Sequence, residues 1–220
     1  MAGPQIVGIG GWDDALADYV LGLADADRPR LLWVGTAAME SAERTLELQE
    51  RLAGRVEFAH LRFHPWPPAD LLELALAQDV ILVGGGNTAN LLAIWRAHGF
   101  DDVLREAWQE GVVLAGWSAG MICWFECGVT DSFGPALAAL DGLGFLPGSA
   151  CPHYDGEELR RPVYRRLVAE GLAPGYAADD GVALRFAGRE LAEVVTARRG
   201  AAAYRVDAGS ETTLEARVLP

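Results

Sequence analysis

The first half of the sequence alternates short apolar runs with longer segments of helical periodicity. The apolar runs are predicted strands, at Gln5–Gly10, Leu31–Gly35, Val56–Leu61, Val80–Val83 and Val112–Ala115. Four of the five are nearly entirely apolar, which is typical of parallel strands that helices cover on both sides. The alternation therefore predicts a doubly wound α/β fold, with a mostly parallel sheet and helices on both faces.

The second half, after Gly128, contains more glycine and proline and one predicted amphipathic helix around Glu158–Glu170. Three short predicted strands close the chain, at Leu191–Thr196, Ala202–Val206 and Thr213–Val218. We expect them to form a small C-terminal antiparallel β extension of the main sheet. No repeat, linker or low-complexity stretch divides the sequence, so residues 1–220 are predicted to form a single domain.

A buried strand, a Gly-x-Ser-x-Gly turn and a helical run follow one another within residues 111–125. The turn, GWSAG, has the pattern of a nucleophile elbow, in which a strained strand-to-helix turn exposes the Oγ of Ser118. The start of the helix would direct the N–H of Ala119 towards an oxyanion formed beside Ser118, and Trp117 is a candidate wall of a substrate pocket. The alternative is an ordinary turn in which Ser118 only caps the helix.

A second glycine-rich turn, GGGNT, follows the predicted strand Val80–Val83. Because the carboxyl ends of neighbouring parallel strands form one crevice, we expect this turn beside the elbow. An N–H of Gly85 or Gly86 would then complete a two-donor oxyanion hole, and Asn87 and Thr88 would contact the substrate. The chain contains no lysine, which excludes a P-loop, whereas another phosphate-binding turn or a plain turn remains an alternative.

Four histidines compete for the role of general base, namely His60, His64, His98 and His153. His153 is the best candidate because it lies in a polar segment downstream of the elbow, where a loop can carry it over the serine. Its alternative is a surface histidine. The acid that would orient it stays open at this point, because four carboxylates lie in the same region: Glu126, Asp131, Asp141 and Asp155.

Charge and composition exclude several classes of function. The net charge is −13 and no basic run exceeds an arginine pair, so nucleic acid is not an expected partner. No apolar run reaches the roughly 18 residues of a membrane span, and the N-terminal residues lack a signal-peptide pattern, so a cytoplasmic location is expected. The three cysteines, Cys123, Cys127 and Cys151, lack metal-ligand spacing, and we expect no metal or other cofactor.

The combination of GGGNT, GWSAG, a downstream TD and a Pro-His-aromatic segment resembles peptidase E, the aspartyl dipeptidase family that also contains the cyanophycinases. The resemblance covers nearly the whole chain and is strongest between residues 83 and 154. It implies a class I glutamine-amidotransferase-like fold in which serine replaces the cysteine nucleophile, and metal-independent hydrolysis of small peptides. It also implies Ser118 as nucleophile, His153 as base and Asp131 as acid, with Glu126 as the alternative acid.

The expected function is therefore hydrolysis of small peptides, including dipeptides with N-terminal aspartate, through an acyl-enzyme. An aspartyl side chain needs a cation, and Arg160 and Arg161 are candidates, although both can instead lie on an exposed helix face that neutralises Glu157 and Glu158. The alternatives are a serine esterase or carboxypeptidase-like hydrolase on the same scaffold and a non-catalytic small-molecule-binding module. We expect a homodimer whose site closes at the subunit interface.

Overall fold

The computed structural model describes residues 3–220. Its helices are α1 (Asp14–Leu21), α2 (Ala42–Arg51), α3 (Leu71–Leu76), α4 (Thr88–His98), α5 (Phe100–Gln109), α6 (Ala119–Ile122) and α7 (Arg160–Ala169), with a 3₁₀ turn at Thr36–Ala38. Its strands are β1 (Gln5–Ile9), β2 (Arg30–Val34), β3 (Glu57–Leu61), β4 (Val80–Val83), β5 (Val113–Trp117), β6 (Phe125–Thr130), β7 (Ala138–Asp141), β8 (Leu146–Cys151), β9 (Gly175–Ala178), β10 (Val182–Ala187), β11 (Glu190–Thr196), β12 (Ala203–Asp207), β13 (Ser210–Leu214) and β14 (Arg217–Val218). None of these helices combines the length and the apolar character needed to cross a bilayer.

The central sheet contains eight strands in the order β14-β11-β10-β1-β5-β4-β2-β3. The five strands from β1 to β3 in this order run parallel, and β10 and β11 extend the sheet in antiparallel pairing. Successive residues of β1 face opposite sides: Ile6 packs in the cluster that includes α4 and α5, and Val7 packs in the cluster that includes α1 and α2. The predicted α/β architecture, with helices on both faces and an antiparallel extension, is confirmed.

A second sheet contains six strands in the order β13-β12-β9-β8-β6-β7. The predicted segment Ala202–Val206 forms β12 here, and β13 covers the start of the predicted segment Thr213–Val218. Of the three predicted C-terminal strands, β11 and the two-residue β14 join the central sheet. Alternation of side chains predicts that a segment is a strand, but it does not specify which sheet edge the strand will pair with.

The segment after the elbow differs from the prediction. We expected the helical run after the serine turn to continue to residue 125, but α6 ends at Ile122 and the chain continues as β6 from Phe125. Gly128 lets this strand pack closely, since a Cβ there would lie 2.7 Å from Ile122 and 2.8 Å from the carbonyl oxygen of Ala150. The second sheet therefore begins immediately behind the serine turn.

Candidate active site

Ser118 occupies a strained turn at the carboxyl end of β5. Its φ of 56° and ψ of −114° lie outside the regions that serine ordinarily adopts. A Cβ on Gly116 would lie 2.5 Å from the carbonyl oxygen of Gly120, and a Cβ on Gly120 would overlap the carbonyl oxygen of Val83. The N–H of Ser118 donates to the carbonyl of Ile9 in β1 at 3.1 Å. Both glycines of the motif are thus required by close backbone contacts, which hold the serine at the end of the sheet.

His153 lies in the loop after β8, where its Nδ1 is 2.6 Å from Oδ1 of Asp180. Asp180 belongs to the Asp179-Asp180-Gly181 turn between β9 and β10. The side chains retain 22% exposure for His153 and 44% for Asp180, so the pair is accessible to a substrate. A carboxylate on Nδ1 fixes the imidazole orientation and leaves Nε2 as the nitrogen for proton transfer.

Two glycines and a second carboxylate hold Asp180 in place. A Cβ on Gly11 or on Gly156 would overlap the Asp180 carboxylate. The N–H of Asp180 donates to Oδ1 of Asp155 at 2.9 Å, and Arg198 pairs with the other oxygen of Asp155. Burial alone would raise the pKa of Asp155, but these hydrogen bonds lower it below its ordinary value, so Asp155 stays ionised.

The end of β1 brings the serine turn and Asp180 to the same edge of the sheet. Ile9, the last residue of β1, accepts the hydrogen bond from Ser118, and Gly11, two residues later, contacts Asp180. Gly11 also pairs with Asp180 as an isolated parallel bridge. The structure therefore places Ser118 and the His153–Asp180 pair around the carboxyl end of one strand.

Asp131, which we expected to orient His153, has a different partner. Its Oδ1 lies 3.8 Å from Nη2 of Arg160, and its side chain is 58% exposed. It faces a cavity of about 290 Å³, which we call the serine cavity, lined by Gly86, Asn87, Ser118, Asp131, Ser132, Glu157 and Arg160. The expectation for Asp131 is corrected: it lies in the cavity beside the serine, but the carboxylate that binds His153 belongs to Asp180.

The alternative acid, Glu126, is also directed elsewhere. On β6 it accepts a hydrogen bond from the N–H of Gly148 at 2.8 Å and lies 3.7 Å from Arg189. Sequence reasoning missed Asp180 because it follows His153 by 27 residues and only tertiary structure brings the two together. One signal was present, namely an Asp-Asp-Gly turn directly after a short strand, at the strand end where binding residues collect in α/β proteins.

Backbone donors are available beside Ser118. A Cβ on Gly85 would lie 3.0 Å from the Ser118 Cβ, and Gly86, with a φ of 143°, lies against the carbonyl of Ala37. Within residues 3–220, the N–H groups of Gly85 and Gly86 donate no hydrogen bond. Ala119 is the first residue of α6, so its N–H has no acceptor within that helix. The three predicted donors are thus free to bind an oxyanion.

The predicted substrate residues divide between the cavity and the protein interior. Asn87 lines the serine cavity and donates from Nδ2 to the carbonyl of Ser132 at 2.9 Å, which holds the Asp131 loop against α4. Thr88 is only 1% exposed, and its hydroxyl contacts Thr130 at 3.4 Å. Thr88 therefore contributes to the support of the loop and is not accessible to a substrate.

The two predicted arginines also separate. Arg160 is 3% exposed and lines the serine cavity. Its Nε donates a hydrogen bond to the carboxylate of Glu157 at 2.6 Å, and its Nη1 donates to the carbonyl of Val129 at 2.9 Å. Arg161 pairs with Glu211 and lies over the Tyr204 ring at 5.0 Å, outside that cavity. Of the two, the structure brings only Arg160 to the serine. Trp117 is half-buried and faces a different cavity, next to Gly85.

The three cysteine thiols do not compete with Ser118 as nucleophiles. All three are buried. Burial raises the pKa of Cys123 and Cys127, and it raises that of Cys151 to about 12. A thiol that stays protonated at neutral pH is a poor nucleophile and a poor metal ligand. Cys123 and Cys127 also do not share one helix, because the second lies on β6.

The chain is similar in sequence to known peptidases. The sequence model of peptidase family S51 matches residues 8–194. The uncharacterized peptidase YgaJ of Bacillus subtilis (strain 168) is 48% identical over 202 residues, which cover 87% of this chain and 84% of the relative. Peptidase E of Pasteurella multocida (strain Pm70) is 29% identical over 181 residues, 76% of each chain.

Two solved structures show the same fold. A peptidase from an acI-B1 Actinobacterium has a TM-score of 0.67 at 21% identity, over 98% of this chain and 95% of the other. A putative peptidase E from Listeria monocytogenes EGD-e has a TM-score of 0.65 at 19% identity, over 88% of this chain and 98% of the other. Together with the family match, these similarities show that the chain is a serine peptidase related to peptidase E and belongs to peptidase family S51.

Proposed function

We propose that this peptidase cleaves small peptides through an acyl-enzyme on Ser118, with His153 as general base and Asp180 as the acid that orients it. The observation that carries the proposal is the 2.6 Å contact between His153 Nδ1 and Asp180 at the end of the strand that also binds the Ser118 turn. It combines a strained serine, an oriented imidazole and free backbone donors at one edge of the sheet.

In the first step, Nε2 of His153 takes the hydroxyl proton of Ser118 while Oγ forms a bond to the carbonyl carbon of the substrate. The carbonyl oxygen gains the negative charge and accepts hydrogen bonds from the N–H groups of Ala119 and of Gly85 or Gly86. The carbon–nitrogen bond then breaks, and the protonated His153 gives its proton to the leaving amine. Water, deprotonated by His153, releases the acyl group in the same way.

The serine cavity favours dipeptides with N-terminal aspartate. Such a substrate carries an ammonium group and a side-chain carboxylate, and the cavity has charges of both signs. The exposed carboxylate of Asp131 fits the ammonium group. Nη2 of Arg160 makes no hydrogen bond within residues 3–220; it lies 3.8 Å from Oδ1 of Asp131 in an ion pair, and its N–H groups can still donate to the aspartyl carboxylate. The relatives named peptidase E support a peptide substrate in general.

The proposal is tested by labelling and hydrolysis with two matched serine variants. A fluorophosphonate probe should label the wild type and Ser132→Ala but leave Ser118→Ala unlabelled, since Ser132 lies in the same cavity. Hydrolysis of a dipeptide library should fall by about 10³-fold or more in Ser118→Ala. Undiminished hydrolysis in that variant would end the proposal. Adding C-terminally blocked peptides and p-nitrophenyl esters separates a dipeptidase from a carboxypeptidase or an esterase.

A further inference from the structure

A second cavity, of about 320 Å³, lies next to the serine turn, and Gly85 is the member of its lining that enters the mechanism above. We call it the tryptophan cavity; it is lined by Trp12, Trp33, Ala38, Arg44, Glu47, Leu48, Arg51, Gly85 and Trp117. Gly85 connects it to the nucleophile, because a Cβ there would lie 3.0 Å from both the Ser118 Cβ and Nε1 of Trp117. A ligand bound in this cavity is therefore separated from Ser118 by only the backbone of one glycine.

Two half-buried indole rings, of Trp12 and Trp117, form a fixed aromatic wall, and the buried ring of Trp33 packs behind them. The Trp33 and Trp117 rings are stacked, with centroids 5.4 Å apart, and Trp12 lies 4.6 Å from Trp117 at a tilt of 46°. The Trp33 Nε1 donates to Thr45 at 3.1 Å, and the Trp12 Nε1 donates to Asp14 at 3.2 Å. Rings held in this way lose little entropy on binding, which suits a flat apolar side chain.

The charged groups at the cavity differ in whether they are paired. Arg51 binds Asp14 through two contacts of 3.0 and 3.2 Å. Arg44 donates to the carbonyl of Gly85 at 3.4 Å and forms no ion pair within residues 3–220. Glu47, the acidic group of the lining, lies almost one helical turn beyond Arg44 on α2. The guanidinium that contacts Gly85 is thus available for an anionic group of a ligand.

We propose that the tryptophan cavity binds the C-terminal residue of the peptide substrate, with a bulky aromatic side chain against the indoles and the free α-carboxylate on Arg44. The inference rests on the proposed function: with the N-terminal residue in the serine cavity and the scissile carbonyl at Ser118, the leaving residue extends across Gly85. Substrates are then small peptides that end in an aromatic residue with a free carboxylate, and specificity depends on the leaving group as well as on the acyl group.

Kinetics on three peptides test this assignment: Asp-Phe, Asp-Gly and Asp-Phe amide, repeated with alanine in place of aspartate. We expect kcat/KM for the peptide that ends in phenylalanine with a free carboxylate to exceed kcat/KM for the glycine peptide and for the amide at least tenfold. Trp12→Ala should remove the preference for Phe over Gly, and Arg44→Gln the preference for the acid over the amide. Trp66→Ala and Arg62→Gln change exposed residues outside the cavity and should keep both preferences.

Calorimetry on the Ser118→Ala variant separates this inference from the catalytic one, because it needs no turnover. The cavity assignment is supported if Asp-Phe binds more tightly than Asp-Gly and Asp-Phe amide. Trp12→Ala and Arg44→Gln should weaken the binding of Asp-Phe. Equal affinities, or no binding of any of the peptides, overturn it even if the wild type hydrolyses them. Failure of the wild type to hydrolyse peptides or to react with the fluorophosphonate would instead contradict the proposed mechanism. Arg44 is exposed, so its variant tests the assignment even if Trp12→Ala does not fold.

Discussion

The two sheets supply different parts of the candidate site and do so in different ways. The central sheet positions Ser118 through contacts of neighbouring backbone segments, with glycine at every place where a Cβ would overlap. The second sheet and its loops supply His153 and Asp180, which are joined by one side-chain contact between residues 27 apart in the chain. The first part depends on local backbone fit and the second on a long-range polar pair, so the two should respond differently to substitution.

The largest effect is expected where the long-range pair is broken. Asp180→Asn should lower kcat by about 10³- to 10⁴-fold, because the neutral amide neither stabilises the imidazolium nor selects the correct tautomer. Asp131→Asn should act mainly on KM for peptides with a free amino group, since its carboxylate faces the serine cavity and not His153. Steady-state kinetics on one peptide compare the two variants. A greater loss of kcat in Asp131→Asn would return the acid role to Asp131.

Local backbone fit is tested by Gly120→Ala, whose Cβ would overlap the carbonyl of Val83. We expect a loss of about 1–3 kcal/mol in the free energy of unfolding, as is usual for overpacking. Displacement of the turn by even 1 Å should also lower kcat/KM by about 100-fold. Gly3→Ala is the control, because nothing lies within 4 Å of a Cβ there. Urea denaturation and kinetics measure both effects; equal stability of the two variants would show that the elbow tolerates a side chain.

A smaller effect is expected where α7 packs on the second sheet, because Oγ of Ser149 on β8 and the hydroxyl of Tyr164 on α7 lie 2.8 Å apart and are buried. Tyr164→Phe should cost about 1 kcal/mol, or a fall in Tm of about 2–4 °C. The Tyr204 hydroxyl makes no hydrogen bond within residues 3–220, so Tyr204→Phe is the matched control. Differential scanning calorimetry of the two variants gives the comparison, and equal Tm shifts would mean that this buried pair does not stabilise the sheet.

The smallest effect concerns Asp179, the neighbour of the acid. Burial raises the pKa of Asp179 above its ordinary value, although the hydrogen bond from the N–H of Ala202 acts in the opposite direction and lowers it. As the pH rises, Asp179 therefore loses its proton in the unfolded chain before it does so in the folded protein. The free energy of unfolding of the wild type then decreases from about pH 3.8 up to the pKa of Asp179 in the folded protein. Asp179→Asn lacks this loss, so its stability relative to wild type should increase across that interval. A flat difference for Asp179→Asn would contradict the expected sign.

The division between the sheets also explains what the sequence could predict. The strands of the central sheet and the GWSAG turn follow from apolar runs and short-range spacing. The predicted length of the post-elbow helix was wrong, because β6 is stabilised by its partners β7 and β8, which lie downstream. The partner of His153 was missed for the same reason, since no local pattern marks a contact that forms between separate loops. The single domain, the dimer and the cytoplasmic location stay predictions.

Strand β1 contributes no reacting side chain, yet its backbone sets the spacing between nucleophile and acid. Its last carbonyl fixes the serine turn, and the bare Cα of Gly11 leaves the space that the Asp180 carboxylate fills. A chain of this architecture with any side chain at the position of Gly11 would have to take its acid from another loop. Under the proposed mechanism, the absence of a side chain at Gly11 is therefore as much a requirement of this site as the carboxylate of Asp180 itself.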